Sequence, residues 1–213
     1  MGAGYHDQTL VMSVDRKKAT QNPSPLLILA SSSPRRKELL SSLIGHFSIV
    51  SVDVDELLQH SEGVVRLVME NAKLKCIRAA KLHPEKWVLG ADTLVAMDQE
   101  IFGKPSDLKE AKSMLLRLSG KTHRVHTGVS LQNLSSDVDL AEVVSTSVTF
   151  KNLNSSIIDR YFLKVNPLDK AGAYAIQTSP EMIVESYDGS LSNVIGLPLE
   201  LLANWFEKYL PKS

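Results

Sequence analysis

LLILASSSPRRKELL, residues 26–40, is the stretch on which the reading of the fold turns. Leu26-Leu27-Ile28-Leu29-Ala30 is an apolar run of buried-strand length, followed by small hydroxyl residues and then an amphipathic helical pattern. Ser33 suits an N-cap, and Pro34 suits the first helical position, where its missing N–H costs nothing. The backbone donors of Ser31 to Ser33 and the positive end of the helix converge on one spot, and Arg35 and Arg36 bring two guanidinium groups to it. Free amides, hydroxyls, a helix N-terminus and paired arginines make an anion site, for phosphate above all. A capped helix with solvated arginines shares this local pattern, so the downstream residues decide between the two.

Working outward, Gly45 is a stop signal and residues 47–52 read as a strand running into Asp53-Val54-Asp55-Glu56. Residues 64–82 carry a helical stripe (Val64, Leu67, Val68, Ala72, Ile77, Ala80) closed by His83-Pro84. A brief strand over 87–89 ends in Gly90-Ala91-Asp92-Thr93, with 94–97 as a continuation. Ser106 is a candidate cap for a helix with the stripe Leu108, Ala111, Leu115 and Leu118, ended by Gly120. Two long β-rich segments, 122–131 and 141–150, flank a polar turn. A helix over 155–165, strands over 173–177 and 182–187, a turn at Asp188-Gly189 and a helix over 198–210 complete the chain. Strands and helices alternate first and strands then dominate, which predicts an α/β fold with a mixed sheet flanked by helices.

The chain has 213 residues, with 24 basic and 24 acidic side chains and a formal charge of zero. That balance argues against nucleic-acid or membrane-surface binding, which needs a basic excess, but leaves room for a local basic pocket. Cys76 is the single cysteine, so neither a disulfide framework nor a thiolate zinc site is expected, and a reducing, cytoplasmic setting is the default. No segment is long and apolar enough to span a membrane. Residues 1–24 are polar and irregular and read as a loose extension ahead of a single domain over 25–213.

Four groups fall at loop edges just after apolar runs, where open α/β sheets hold their ligands: the anion site, the acidic trio Asp53, Asp55 and Glu56, the pair Asp92-Thr93, and the cations Lys75 and Lys104. Carboxylates beside arginines and lysines suit metal-assisted phosphoryl chemistry, in which hard oxygens hold Mg²⁺ or Mn²⁺ and cations neutralise phosphate. Each group alone has a plainer reading: an acidic trio is usually a solvated turn, and Asp92 could make an Asx-turn. His123 and His126 lie three residues apart in a strand and so point to opposite faces. Asp53-Val54-Asp55 resembles the haloacid-dehalogenase nucleophile motif, but Leu57 stands where Thr or Val is wanted.

Taken in order, six motifs resemble those of the Maf-like nucleotide pyrophosphatase family: Ser31-Ser32-Ser33-Pro34-Arg35-Arg36, Gly90-Ala91-Asp92-Thr93, Gly103-Lys104-Pro105, the run 118–123, the run 167–177 ending in Gln177, and the run 194–199. The resemblance implies an elongated, two-lobed α/β fold with a central cleft, similar to inosine-triphosphate pyrophosphatases and often dimeric. It implies hydrolysis of a nucleoside triphosphate to the monophosphate and pyrophosphate with a divalent metal. By position, Asp92 resembles the general base or metal-side carboxylate and Glu56 a metal-binding acid. Ser31, Arg35, Arg36, Lys75 and Lys104 resemble the phosphate-contacting set. Arg36, Thr93 and Gln177 match the branch acting on dTTP and UTP rather than the 7-methyl-GTP branch. Ala175 departs from the family's usual glycine, a change that matters only if the backbone there needs positive φ. The rivals are a non-catalytic nucleotide-binding regulator of cell division and a haloacid-dehalogenase-like phosphatase, which would release orthophosphate.

Overall fold

The structure is a computed structural model describing residues 26–211; the expected extension over 1–24 lies outside the described residues. Its centre is a seven-stranded mixed sheet in the order β2-β1-β3-β5-β6-β7, with β4 paired to β3 off that path. The strands are β1 (Leu27–Ala30), β2 (Phe47–Ile49), β3 (Trp87–Met97), β4 (Glu100–Phe102), β5 (Thr122–Asn133), β6 (Val138–Phe150) and β7 (Val184–Asp188). The helices are α1 (Pro34–Leu43), α2 (Val64–Leu82), α3 (Leu108–Leu118), α4 (Ser155–Phe162), α5 (Leu191–Ile195) and α6 (Leu199–Tyr209). The predicted α/β class holds, as do the bounds of the 64–82 helix. None of the described helices is long and apolar enough to cross a membrane.

Strand β1 runs parallel to both β2 and β3, whereas β3, β5, β6 and β7 are antiparallel in succession. The partners of β3 create the cleft. One edge is covered by β5 from Val88 to Ala96. The other is covered by β1 only as far as Gly90 and by β4 only from Val95 onward. Residues 91–94 are left in the gap, where a strand edge has no ladder partner. Two apolar cores sit on either side of it. In the first, β1 and the start of β3 are sandwiched between Leu40 and Leu202 on one face and Cys76, Ala79 and Ala80 on the other. The second gathers Phe102, Leu115, Phe150, Tyr161 and Tyr174 around the far half of β3.

Helix α2 lies unusually close to the sheet. A Cβ on Gly90 would stand 2.4 Å from the carbonyl oxygen of Ala72, and one on Gly128 would stand 2.4 Å from that of Val68. Only hydrogen fits at either place.

Several local expectations are corrected. Asp92 is not at a loop edge: residues 87–97 form one continuous strand, because the register with β5 runs unbroken past Gly90-Ala91-Asp92-Thr93. Residues 173–177 are not a strand. Gly172 and Ala173 both take positive φ (69° and 62°), which turns the chain away from any ladder. Ala175 instead exchanges both backbone bonds with one side chain, its N–H donating to Tyr161 Oη and its carbonyl accepting from it. Ala175 itself is not among the positive-φ residues, so its methyl group is accommodated. Ser33 takes the N-cap position of α1, but its side chain makes no capping bond. Asp107 rather than Ser106 caps α3, while Ser106 bonds back to Glu110. The short β4 and α5 were not predicted.

Gly128→Ala is expected to lower stability by about 1–3 kcal/mol, the usual cost of overpacking. Gly45→Ala, with nothing within 4 Å of the added carbon, should change it little. Urea unfolding of both variants checks this, and equal midpoints would remove the close-approach explanation.

Candidate active site

The gap in the β3 edge opens into a cleft of about 470 Å³. The nine residues given roles by the family resemblance all line it: Ser31, Arg35, Arg36, Glu56, Lys75, Asp92, Thr93, Lys104 and Gln177. Asp53 and Asp55 do not line it, and both are exposed, which leaves the dehalogenase-type nucleophile outside this cleft.

Arg36 is the most tightly held of the set. It sits on the first turn of α1, where its Nε donates to the Gly196 carbonyl at 2.9 Å. One terminal nitrogen donates to Ser31 Oγ at 3.3 Å and the other to Thr93 Oγ1 at 3.0 Å. Three of its five N–H groups are thus used by the protein, and two remain for a ligand. Burial lowers its pKa from the ordinary arginine value, with the charge of Asp92 acting in the opposite direction.

The direction of the next bonds is fixed by counting protons. Thr127 Oγ1 donates to the Asn193 carbonyl at 3.0 Å, so within the 3.0 Å pair with Thr93 it must accept. The single Thr93 proton is therefore committed to Thr127, and Thr93 faces the cleft as an acceptor.

Lys75, on α2, reaches across to the β3 gap. Its Nζ lies 2.7 Å from Asp92 Oδ1 and 3.0 Å from Glu56 Oε1. Lys75 and Asp92 are largely buried, with side chains 14% and 10% exposed, while Glu56 is 49% exposed. Two carboxylates from different elements thus converge on one cation.

Arg35 points to the opposite wall. It donates to Asp169 Oδ2 at 2.8 Å and to the Asp169 carbonyl at 3.2 Å. Lys170 Nζ lies 2.6 Å from the other oxygen of the same carboxylate. Burial works to raise the pKa of Asp169, but the bonds from Lys170 and Arg35 outweigh it and hold the carboxyl below the usual range. This bridge links α1 to the segment after α4.

Residues 26–209 match the family described as Maf-like protein. The chain belongs to the Maf-like family. A Myxococcus xanthus protein named dTTP/UTP pyrophosphatase is 47% identical over 174 residues, covering 82% of this chain and 87% of that one. A Clostridioides difficile protein of the same name is 42% identical over 183 residues, covering 86% and 94%. Among solved structures, the Ham1 protein of Staphylococcus aureus shares the fold, with a TM-score of 0.52 at 17% identity over 85% of this chain and 98% of that one.

Asp169, Lys170 and Tyr174 also line the cleft of this Maf-like chain. All three fall within the run 167–177 quoted as a motif, but nothing local in that run shows that Asp169 reaches Arg35, 134 positions earlier. Tyr174 is set from behind: its Oη is 2.9 Å from His123 Nε2, and the His123, Phe150 and Tyr174 rings meet edge to face.

The donor chemistry fits a hard divalent cation in one way. Glu56 and Asp92 each place one oxygen against the Lys75 ammonium, so a cation held by those oxygens would take the place of the ammonium; two is the number of carboxylates with which Mg²⁺ is commonly held when phosphate oxygens and water complete its shell. Among the described residues no group of three or more His, Cys, Asp or Glu could hold a metal alone. The fit is therefore to a cation shared with a phosphate ligand.

Burial pushes the His123 imidazole down to about 4, against about 6.5 in an unfolded chain. As pH falls, the unfolded state takes up this proton first. The stability owed to the neutral ring is complete above about pH 6.5 and is lost as pH falls from about 6.5 to about 4, on the order of 3 kcal/mol in all. Unfolding free energies at pH 7 and 4.5 should show a shallower pH dependence for His123→Asn than for the native protein; equal dependences would contradict this.

Proposed function

We infer that the protein hydrolyses dTTP and UTP to the nucleoside monophosphate and pyrophosphate, acting on the cytoplasmic nucleotide pool with Mg²⁺ or Mn²⁺. The observation that carries this reading is the convergence of Asp92 and Glu56 on Lys75, in a cleft also lined by Ser31, Arg35 and Arg36. Relatives 42–47% identical over most of their length bear the name dTTP/UTP pyrophosphatase, which supports the substrate assignment.

In this reading the triphosphate lies along the amides of Ser31 to Ser33 at the N-terminus of α1, with Arg35, Lys75 and Lys104 neutralising its oxygens. Arg35 leaves Asp169 partly or wholly to do so. Glu56 and Asp92 are the residues that would hold a divalent cation. When bound, that cation supplies Lewis-acid stabilisation of charge at the reacting phosphorus. With Lys75 turned to the phosphate oxygens, Asp92 Oδ1, its present partner, would serve the cation, and Oδ2 is the atom left to take the proton of the attacking water. Water adds to the α-phosphorus, the bond to the β-phosphate oxygen breaks, and pyrophosphate leaves. Positioning and electrostatics suffice, since phosphoryl transfer asks little covalent help from protein.

The base is read at Arg36, Thr93 and Gln177. Arg36 offers the two remaining N–H donors, Thr93 an acceptor, and Gln177 one of each. A uracil or thymine edge, with carbonyls flanking an N–H, complements that set. A mismatched base would leave buried polar groups unpaired.

A triphosphate panel with separate assays for pyrophosphate and orthophosphate tests the activity. dTTP and UTP should yield pyrophosphate only in the presence of divalent metal; orthophosphate as sole product, or undiminished turnover in chelator, would refute it. Asp92→Asn should cost about 10²-fold or more in kcat while the melting temperature holds; near-native turnover would make Asp92 a structural residue. Gln177→Glu should lower kcat/KM for dTTP and UTP, and unchanged values for both would remove Gln177 from base recognition.

A further inference from the structure

Glu56 stands on an irregular connection, residues 50–63, between β2 and α2. The start of this segment is anchored by Val50, whose N–H donates to the Leu29 carbonyl at 3.0 Å. Val50 and Val52 also pack on the apolar cluster beneath α2. Val54 is half-buried as well, but from Glu56 onward apolar burial stops: Leu57 is 41% exposed and Leu58 90% exposed. The carboxylate that must meet Asp92 at the cleft therefore sits on a stretch that its own side chains do not fasten.

The fastening comes from α2. Asn71 is 2% exposed and spends its carboxamide on one residue of the loop. Its Oδ1 accepts from the Leu57 N–H at 2.8 Å, and its Nδ2 donates to the Leu57 carbonyl at 3.0 Å. The amide clasps the peptide backbone as a neighbouring strand would, immediately after Glu56. Asn71 and Lys75 are four positions apart on α2 and thus lie on one face. One turn grips the loop, and the next presents the ammonium that Glu56 reaches at 3.0 Å.

We propose that Asn71 is a positioning residue that holds Glu56 at the cleft by clasping the backbone of Leu57. This rests on the reading of Glu56 as a metal-side acid. The clasp replaces the burial that the loop lacks. A buried amide that loses its partners is costly, so the bond pair also selects one loop conformation over others. Without it, Glu56 samples positions away from Lys75 and Asp92, and more divalent cation is needed to assemble the site.

The test is a double-mutant cycle read as kcat/KM for dTTP and as the Mn²⁺ concentration giving half-maximal rate. Asn71→Leu alone should lower kcat/KM by about tenfold, within the range coupled neighbours show, and raise the Mn²⁺ requirement. Placed on Glu56→Gln, it should cost less than about twofold more. Equal losses in both backgrounds would mean a merely structural role and overturn the proposal, as would a silent Asn71→Leu beside a damaging Glu56→Gln. A silent Glu56→Gln would instead overturn the metal-acid reading of Glu56, and the proposal with it. Amide hydrogen exchange on the native protein needs no variant to fold: the Leu57 N–H should exchange at least about tenfold slower than an unprotected amide, and exchange at the unprotected rate would overturn the clasp.

Discussion

Everything at the cleft depends on how closely α2 lies on the sheet. Gly90 and Gly128 leave no room for a methyl group under the backbone of Ala72 and Val68, so the helix is pressed down on β3 and β5. That approach lets Lys75 reach Asp92 from above the strand at 2.7 Å and lets Asn71 hold the loop beside it. A helix lifted by the height of a methyl group would carry both side chains away. The two glycines act on the chemistry without touching a ligand.

The second constraint is the broken edge of β3. Parallel pairing with β1 ends at Gly90 and antiparallel pairing with β4 begins at Val95. Between them Asp92 and Thr93 are held rigid by β5 on one side and open to a ligand on the other. The other charged groups come from α1 and from the connection before α2 and are braced by side chains and carbonyls: Arg35 by Asp169, Glu56 by Lys75, and Arg36 by three separate acceptors. The cleft thus combines a fixed strand with two cations, Arg35 and Lys75, that are already paired with carboxylates. In the proposed reading, a phosphate chain entering it would exchange the carboxylate neighbours of Arg35 and Lys75 for its own oxygens, which would soften the cost of desolvating these cations.

Much of this was legible in the sequence. The turn into α1 and the helix over 64–82 follow from apolar periodicity and from Pro34 and His83-Pro84, signals that act within a few positions. All nine residues given roles by the family resemblance, seven of them within the quoted motifs, line one cleft. What could not be read was set by distant pairing. Gly90-Ala91-Asp92-Thr93 resembles a loop locally and is a strand only because β5 accompanies it to Ala96. Ala173-Tyr174-Ala175-Ile176 has the composition of a strand, yet two consecutive positive φ values and the hydroxyl of Tyr161 take its place out of the sheet. Asp169 and Asn71 look like ordinary polar residues until the fold brings Arg35 and Leu57 to them. Local chemistry reveals which residues a site uses; tertiary contact decides which others hold them in place.

The central claim is that one cleft holds the triphosphate on the α1 side and a divalent cation on the Asp92–Glu56 side. A crystal structure with Mn²⁺ and a uridine triphosphate analogue bearing an uncleavable α,β-linkage tests it most directly. The account predicts an anomalous manganese peak within ligand distance of both Asp92 and Glu56, phosphate oxygens against residues 31–35, and the uracil edge facing Thr93 and Gln177. Manganese bound only by phosphate and water, remote from both carboxylates, or a nucleotide seated outside this cleft, would contradict it.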